Sequence, residues 1–189
     1  MLVISALIAF GWVAFWLYWF ISAIGAKKNA IPRIQRFVGL RILLFLLVIL
    51  LVRTSVAQAN LSKVQSLAIT NGWFLGIGFT LFLLGLSLAI WARLYIGKNW
   101  GMPMSLKQDP ELVTSGPYRF IRHPIYTGIL LATFGTALAS NIYFLFLLLI
   151  MGVYFIYSAT VEEKNMQAQF PKVYPSYKNK TKMLIPFVF

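Results

Sequence analysis

Apolar residues in this chain come in long blocks, without the spacing of an amphipathic helix or the alternation of a half-buried strand. Met1–Ile24 is uncharged and apolar, and at about 1.5 Å per residue it is long enough to cross a bilayer as a helix. No basic cluster precedes it, so it is expected to be a retained span, not a cleaved leader. Phe37–Ala59 forms a second block, with Arg41 near one end and Arg53 near the other. The wholly apolar Ile42–Val52 between them is too short to span alone, so both arginines are expected to snorkel toward the two faces. A third block, Leu67 to Ala92, carries Gly72, Gly76, Gly78 and Gly85. Gly72 and Gly76 have the spacing that lets helices approach closely.

From Gly97 to His123 the chain is mostly polar and contains Pro103, Pro110 and Pro117, so it cannot be a span. Pro124 opens a fourth apolar block, Ile125–Ala139, which Ser140-Asn141 separates from a fifth, Ile142–Val161. Two apolar blocks with so short a break predict a tight helical hairpin. From Glu162 onward the chain is polar, basic and rich in tyrosine. The pattern therefore predicts an all-α integral membrane protein with about five transmembrane helices, spans four and five forming the hairpin.

Composition agrees: 60% of the residues are hydrophobic, 11% are charged, and the mean hydropathy is +0.78, values for a chain solvated by lipid. In a soluble protein the net charge of +13 would point to nucleic acid. Here the basic residues flank apolar blocks, which points to membrane lipids as the partner and not to nucleic acid. They cluster after spans one and three and in the tail, while the other connectors offer only Arg53 and Lys63. By the positive-inside bias, the N-terminus is expected outside and the C-terminus in the cytoplasm, which needs an odd number of spans. All four carboxylates, Asp109, Glu111, Glu162 and Glu163, then fall on the cytoplasmic side, and any polar site belongs there. With no cysteine and a single histidine, neither a disulfide nor a metal centre is expected.

Candidate chemistry gathers in Gly116–Gly128, which holds that histidine, His123. Pro124 suits a first helical position, since it has no N–H to lose and its φ is already helical. His123 is then held extended beside the N-cap. Free N–H groups of a first helical turn favour anions, with Arg122 and Arg119 adding charge and Tyr126 projecting from the same turn. The same residues could equally just end a membrane helix among the headgroups. Pro124 lies about sixteen residues before the hairpin turn and Glu162 about twenty after it, which puts Glu162 within roughly one helical turn of the depth of His123. Glu162 and Glu163 point about 100° apart on a helix, so one can face inward even if the other is solvated. A cationic helix start with a carboxylate opposite would suit a zwitterion such as an amino-acid-like cofactor.

Gly116-Pro117-Tyr118-Arg119-x-x-Arg122-His123-Pro124-x-Tyr126-x-Gly128, followed by Glu162-Glu163-x-x-Met166-x-x-x-Phe170, Tyr174-x-x-Tyr177 and Ile185-Pro186, resembles the isoprenylcysteine carboxyl methyltransferase family. That family groups small membrane methyltransferases with the phospholipid N-methyltransferases. The upstream Leu94–Trp100 segment is similar to the family's Leu-Gly-x-x-Trp element, and the motif match runs over residues 91–187. The resemblance implies an S-adenosylmethionine-dependent methyltransferase with a cytoplasmic cofactor site and a lipophilic small-molecule substrate entering from the bilayer. Carried over by position, Leu112, Val113, Tyr118, His123, Pro124, Ile125, Tyr126 and Glu162 bind the cofactor, and Glu162 takes its ammonium. Arg122 and Glu163 are the catalytic candidates. On this basis residues 1–90 are three N-terminal spans, and 91–189 are a methyltransferase region with the hairpin and tail.

Two positions depart from the pattern. Ser158 stands where prenylcysteine-methylating members place an arginine four residues before the glutamate pair, and Met183 stands where many relatives have another arginine. The cofactor half of the motif is intact and the prenylcysteine half is not. Two other classes compete: an NADPH-dependent sterol-type reductase, which would not need the glutamate pair, and a lipid-binding relative without activity.

Overall fold

A computed structural model describes residues 2–24, 26–27, 69–101, 104 and 109–189. Five α-helices carry them: α1 Leu2–Ala23, α2 Gly72–Ile96, α3 Pro124–Ala139, α4 Phe144–Gln169 and the short α5 Tyr174–Lys180. Single 3-10 turns lie at Gly97–Asn99 and Gly116–Arg119. Among the described residues there is no strand, only an isolated parallel bridge between Ile121 and Lys182. The all-α fold class is as the apolar blocks predict. The expected second span, Phe37–Ala59 with Arg41 and Arg53, lies outside the described residues.

Among the described residues, three helices are long and apolar enough to cross a membrane: α1, α2 with its 3-10 extension, and α4. α3 is a shorter apolar helix of 16 residues. At about 1.5 Å per residue it reaches roughly 24 Å, short of the ~30 Å hydrocarbon layer. By length and composition the described residues give three candidate spans, with α3 a shorter apolar helix paired with α4. The hairpin itself is present. Tyr126 of α3 stacks on Phe155 of α4 and Thr133 reaches Met151, so partners descend α4 as the chain ascends α3. Its connection is wider than Ser140-Asn141 alone, because α4 begins only at Phe144 and the Asn141 side chain caps the intervening turn by accepting from Tyr143 N–H at 2.8 Å. α4 then runs on through Glu162-Glu163, placing both carboxylates within the helix.

α3 is the most enclosed helix because α2 lies against it backbone to backbone. A Cβ at Gly128 would stand 2.6 Å from both Ala89 N and Gly85 O, and one at Gly78 would stand 2.6 Å from Ala139 N. Gly85 and Gly135 are as tightly covered. In lipid, helices gain little from hydrophobic association, so close packing along small residues is what holds such a pair. The glycines that do this are not the predicted pair: Gly72 and Gly76 have no described atom within 4 Å of a Cβ position. At 3.6 residues per turn Gly76 points roughly 180–200° away from Gly85 and Gly78, toward the opposite side of α2.

α1 joins this pair through aromatic residues. Phe82 fills the space over Gly11, and the Trp12 indole donates to Thr136 Oγ1 at 3.1 Å. At the other end Arg93 binds two helix ends at once. Its Nη1 donates to Gly97 O at 2.7 Å, its Nη2 donates to Ser22 O, and its guanidinium lies 4.8 Å over the Trp100 ring. A cation is favoured at helix C-termini, where carbonyls lack partners.

The tail closes the fold over the start of α3. Arg122 N–H donates to Lys182 O at 2.8 Å, His123 N–H to Met183 O at 3.1 Å, and the Thr127 hydroxyl to Leu184 O at 2.7 Å. The Tyr177 hydroxyl donates to Tyr118 O at 2.7 Å. Residues 177–184 thereby brace the backbone of 118–127 from outside.

Candidate functional site

The loop before α3 is shaped by Gly116, whose φ of +58° and position under the Tyr95 ring both exclude a side chain. The 3-10 turn it starts buries Pro117 and Tyr118. Burial first, then the neighbouring Tyr177 and Glu162, push the Tyr118 phenol well above its ordinary pKa, so it stays protonated. Pro124 occupies the first turn of α3 with His123 at its N-cap, the placement its chemistry dictates.

Arg122 and His123 meet the two glutamates of α4 across the hairpin. Glu163 is only 4% exposed, and it accepts from Arg122 Nε at 2.6 Å and pairs with Lys178 Nζ at 2.8 Å. Nη1 of the Arg122 guanidinium donates to the carbonyls of Lys178 and Thr181. Glu162 Oε1 accepts from the Tyr126 hydroxyl at 2.6 Å and from Met104 N–H at 2.9 Å. His123 lies between the carboxylates, with Nδ1 3.5 Å from Glu162 Oε2 and Nε2 3.6 Å from Glu163 Oε1. Its Nε2 is buried without a hydrogen bond. Burial on its own would lower the His123 pKa, but the two carboxylates outweigh it and hold the imidazole above its ordinary value.

Three rings form a parallel stack beneath this charge cluster: His123 on Tyr126 at 5.5 Å and Tyr126 on Phe155 at 4.4 Å, both pairs within 5° of parallel. The stack fixes the imidazole plane and separates the carboxylates from the apolar length of the hairpin. On the following turn of α4, Ser158 and Ala159 are fully buried, and the Ser158 hydroxyl donates back to Tyr154 O at 2.8 Å.

The structure thus brings Tyr118, His123, Pro124, Ile125, Tyr126 and Glu162 to one place, at the depth the helix arithmetic predicts for Glu162. Val113 packs against the core beside them. The strand of chain carrying Leu112 and Val113 is fixed by Glu111, which accepts from Lys27 Nζ at 2.9 Å and from Asn99 Nδ2 at 3.2 Å. These bonds to Lys27 and then Asn99 hold the Glu111 carboxyl below its ordinary pKa.

The arginines behave differently from the expectation of a cationic helix start. Arg122 is matched by Glu163 and two carbonyls, and Arg119 is exposed with its guanidinium 5.0 Å over the Phe120 ring. Sequence reasoning also missed Met104, Thr127, Phe155 and Lys178. Of these, only the Lys178 charge beside Tyr174-x-x-Tyr177 left any trace in the motif.

Comparison with known proteins bears on this geometry. The family model described as phospholipid methyltransferase matches residues 73–173. Curated relatives include a methanethiol S-methyltransferase from a Pseudomonas strain, 28% identical over 127 residues, covering 62% of this chain and 48% of that protein. Another is protein-S-isoprenylcysteine O-methyltransferase B of Arabidopsis thaliana, 27% identical, covering 61% of each chain. A third is the cobalt-zinc-cadmium resistance protein CzcN of Cupriavidus metallidurans, 30% identical, covering 60% of this chain and 51% of that one. Among solved structures, a eukaryotic intramembrane Ras methyltransferase, isoprenylcysteine carboxyl methyltransferase, superposes with a TM-score of 0.56 at 28% identity. The match covers 61% of this chain and 43% of the other, so this chain spans roughly half the length of the proteins it matches. With its apolar helices and a family match over more than half its length, the chain is an integral membrane protein belonging to the phospholipid methyltransferase family.

Proposed function

We propose that this protein is an S-adenosylmethionine-dependent methyltransferase that acts on a lipophilic, membrane-borne small molecule. The observation that carries the reading is the Glu162 carboxylate. The Tyr126 hydroxyl and Met104 N–H both bind Oε1, which leaves Oε2 facing the His123 ring at the start of α3. That donor and acceptor set suits the cofactor's zwitterionic end. Glu162 would hold the ammonium, and the N–H groups of Ile125 and Tyr126 in the first turn of α3, beside Pro124, would hold the carboxylate, as helix starts do for anions. His123 Nδ1, 3.5 Å from Glu162 Oε2, is a further polar group on this side of the carboxylate. Tyr118, Leu112 and Val113 would supply apolar walls. The cofactor supplies an electrophilic methyl group carried on a sulfonium.

The chain's own contribution is alignment and dryness. Holding two reactants in line contributes up to ~7–11 kcal/mol of a barrier, and the ring stack and buried α4 turn exclude water beside the cluster. Arg122 and Glu163 hold each other and the tail, so in this reading they position His123 and do not touch the reacting atoms. The site is read as cytoplasmic on the distribution of basic residues. Two relatives carry names that describe S-methylation of a thiol and O-methylation of an isoprenylcysteine. Position 158 offers this chain no charge for a substrate carboxylate, since Ser158 is buried and bonded to its own helix. That favours an uncharged lipophilic acceptor over a prenylcysteine.

Calorimetry of detergent-purified protein tests the reading. S-adenosylmethionine and S-adenosylhomocysteine are expected to bind in the micromolar range, roughly −8 kcal/mol, and NADPH is not expected to bind. Glu162→Ala should weaken both at least tenfold. No binding of either compound, or binding unchanged in the variant, overturns the assignment. Radiolabelled methyl transfer into a lipid extract then identifies the acceptor.

A further inference from the structure

Past Leu184 the chain folds into a small closed loop. Leu184 and Ile185 N–H both donate to Phe189 O, at 2.7 and 2.6 Å, and Val188 and Phe189 N–H donate to Ile185 O, at 3.2 and 3.0 Å. The loop therefore satisfies much of its own backbone, a precondition for leaving water. Its side chains point the other way: Phe187 is 89% exposed and Val188 72%, with Ile185 and Phe189 about half exposed. Phe120 adds another exposed ring, tied to this stretch through Lys182 N–H to Phe120 O at 3.4 Å. Exposed Lys180 and Lys182 lead into this loop, exposed Arg119 lies over the Phe120 ring, and no acidic residue occurs anywhere in 164–189.

Depth along the membrane is fixed by two contacts. Leu184 is buried in the core, and its carbonyl accepts the hydroxyl of Thr127, one turn into α3. The loop thus sits where α3 enters the apolar layer. An apolar tip with a basic collar at that level matches a leaflet of hydrocarbon capped by anionic headgroups.

We propose that residues 185–189 dip into the acyl boundary of the leaflet on the site's side, with Arg119, Lys180 and Lys182 at the headgroups of anionic phospholipids. The carbonyls of Lys182, Met183 and Leu184 hold Arg122, His123 and Thr127, so seating the loop also sets the height of the site above the membrane.

The chain has no cysteine, so single-cysteine variants Phe187→Cys and Val188→Cys can each carry one environment-sensitive fluorophore. Both positions are exposed, and Ser176→Cys on the outer side of α5 serves as the comparison. In nanodiscs of phosphatidylcholine, the two loop probes are expected to emit further to the blue than the comparison probe. They should be quenched several-fold more by lipid carrying a nitroxide near the headgroup than by aqueous iodide. Adding phosphatidylglycerol should deepen the shift, and the triple variant Arg119→Gln, Lys180→Gln, Lys182→Gln should abolish that increment. Water-like emission with iodide as the better quencher overturns the proposal. So does blue-shifted emission that lipid nitroxide leaves untouched, because then another protein surface covers the loop. A phosphatidylglycerol increment that survives the triple variant removes the headgroup part.

Discussion

Replacing Glu163 by glutamine tests the ion cluster that ties the tail to the hairpin. The substitution keeps the shape and removes the charge, leaving Arg122, 9% exposed, without its counter-ion. Removing one partner of a buried pair costs about 3–5 kcal/mol, because the other charge stays desolvated. Two carbonyls, of Lys178 and Thr181, still accept from the guanidinium, which argues for the lower end, about 3 kcal/mol. Lys178 lies 2.8 Å from the same carboxylate, yet its side chain is 43% exposed, so solvent screens that arm. Lys178→Gln should therefore cost under about 1 kcal/mol. For a chain of this size about 1 kcal/mol moves Tm by roughly 2–4 °C. Thermal unfolding of detergent-purified protein should then show a drop of about 6–12 °C for Glu163→Gln and under about 4 °C for Lys178→Gln. Equal losses in the two variants would mean that the exposed lysine, and not the buried arginine, carries the cluster. A Glu163→Gln protein melting within about 2 °C of the parent would refute the argument from burial altogether.

Other substitutions separate features that look alike in sequence. Gly128→Ala puts a methyl 2.6 Å from the α2 backbone and should cost about 1–3 kcal/mol, whereas Gly76→Ala meets no described atom and should be neutral or gain about 0.5–1 kcal/mol from helix propensity. Equal melting temperatures for the two would contradict the seam. His123, with its folded pKa raised above about 6.5, contributes stability that is complete below that value and is lost as pH rises through the folded pKa. Melting temperature should accordingly fall as pH rises above about 6.5, and His123→Gln should flatten that slope; an unchanged slope in the variant would assign it to other groups.

What the sequence reveals depends on whether side-chain type encodes the feature. The junction at His123-Pro124 is legible because proline has few other places in a helix. The depth of Glu162 is legible because helix rise is constant. The seam with α3 runs through Gly78 and Gly85, and not Gly72 and Gly76, because a spacing marks a face without saying which neighbour it meets. The bracing of 118–127 by the tail is invisible for a simpler reason. It runs through the carbonyls of Lys182, Met183 and Leu184, which every residue has. Arg122 reads as a free cation until the fold supplies Glu163 and two carbonyls to occupy it.

The glycine seam between α2 and α3 also closes one flank of the hairpin. Where a methyl group would strike the opposite backbone at Gly78, Gly85, Gly128 and Gly135, neither a prenyl chain nor an aromatic ring can pass, and that side is a sealed wall. α4 touches α3 at points such as Tyr126–Phe155 and Thr133–Met151, and the described residues leave most of its apolar length uncovered. Under the proposed function, an acceptor diffusing within the leaflet toward His123 and Glu162 would be turned away from the α2 flank and toward α4, which would give its approach a direction.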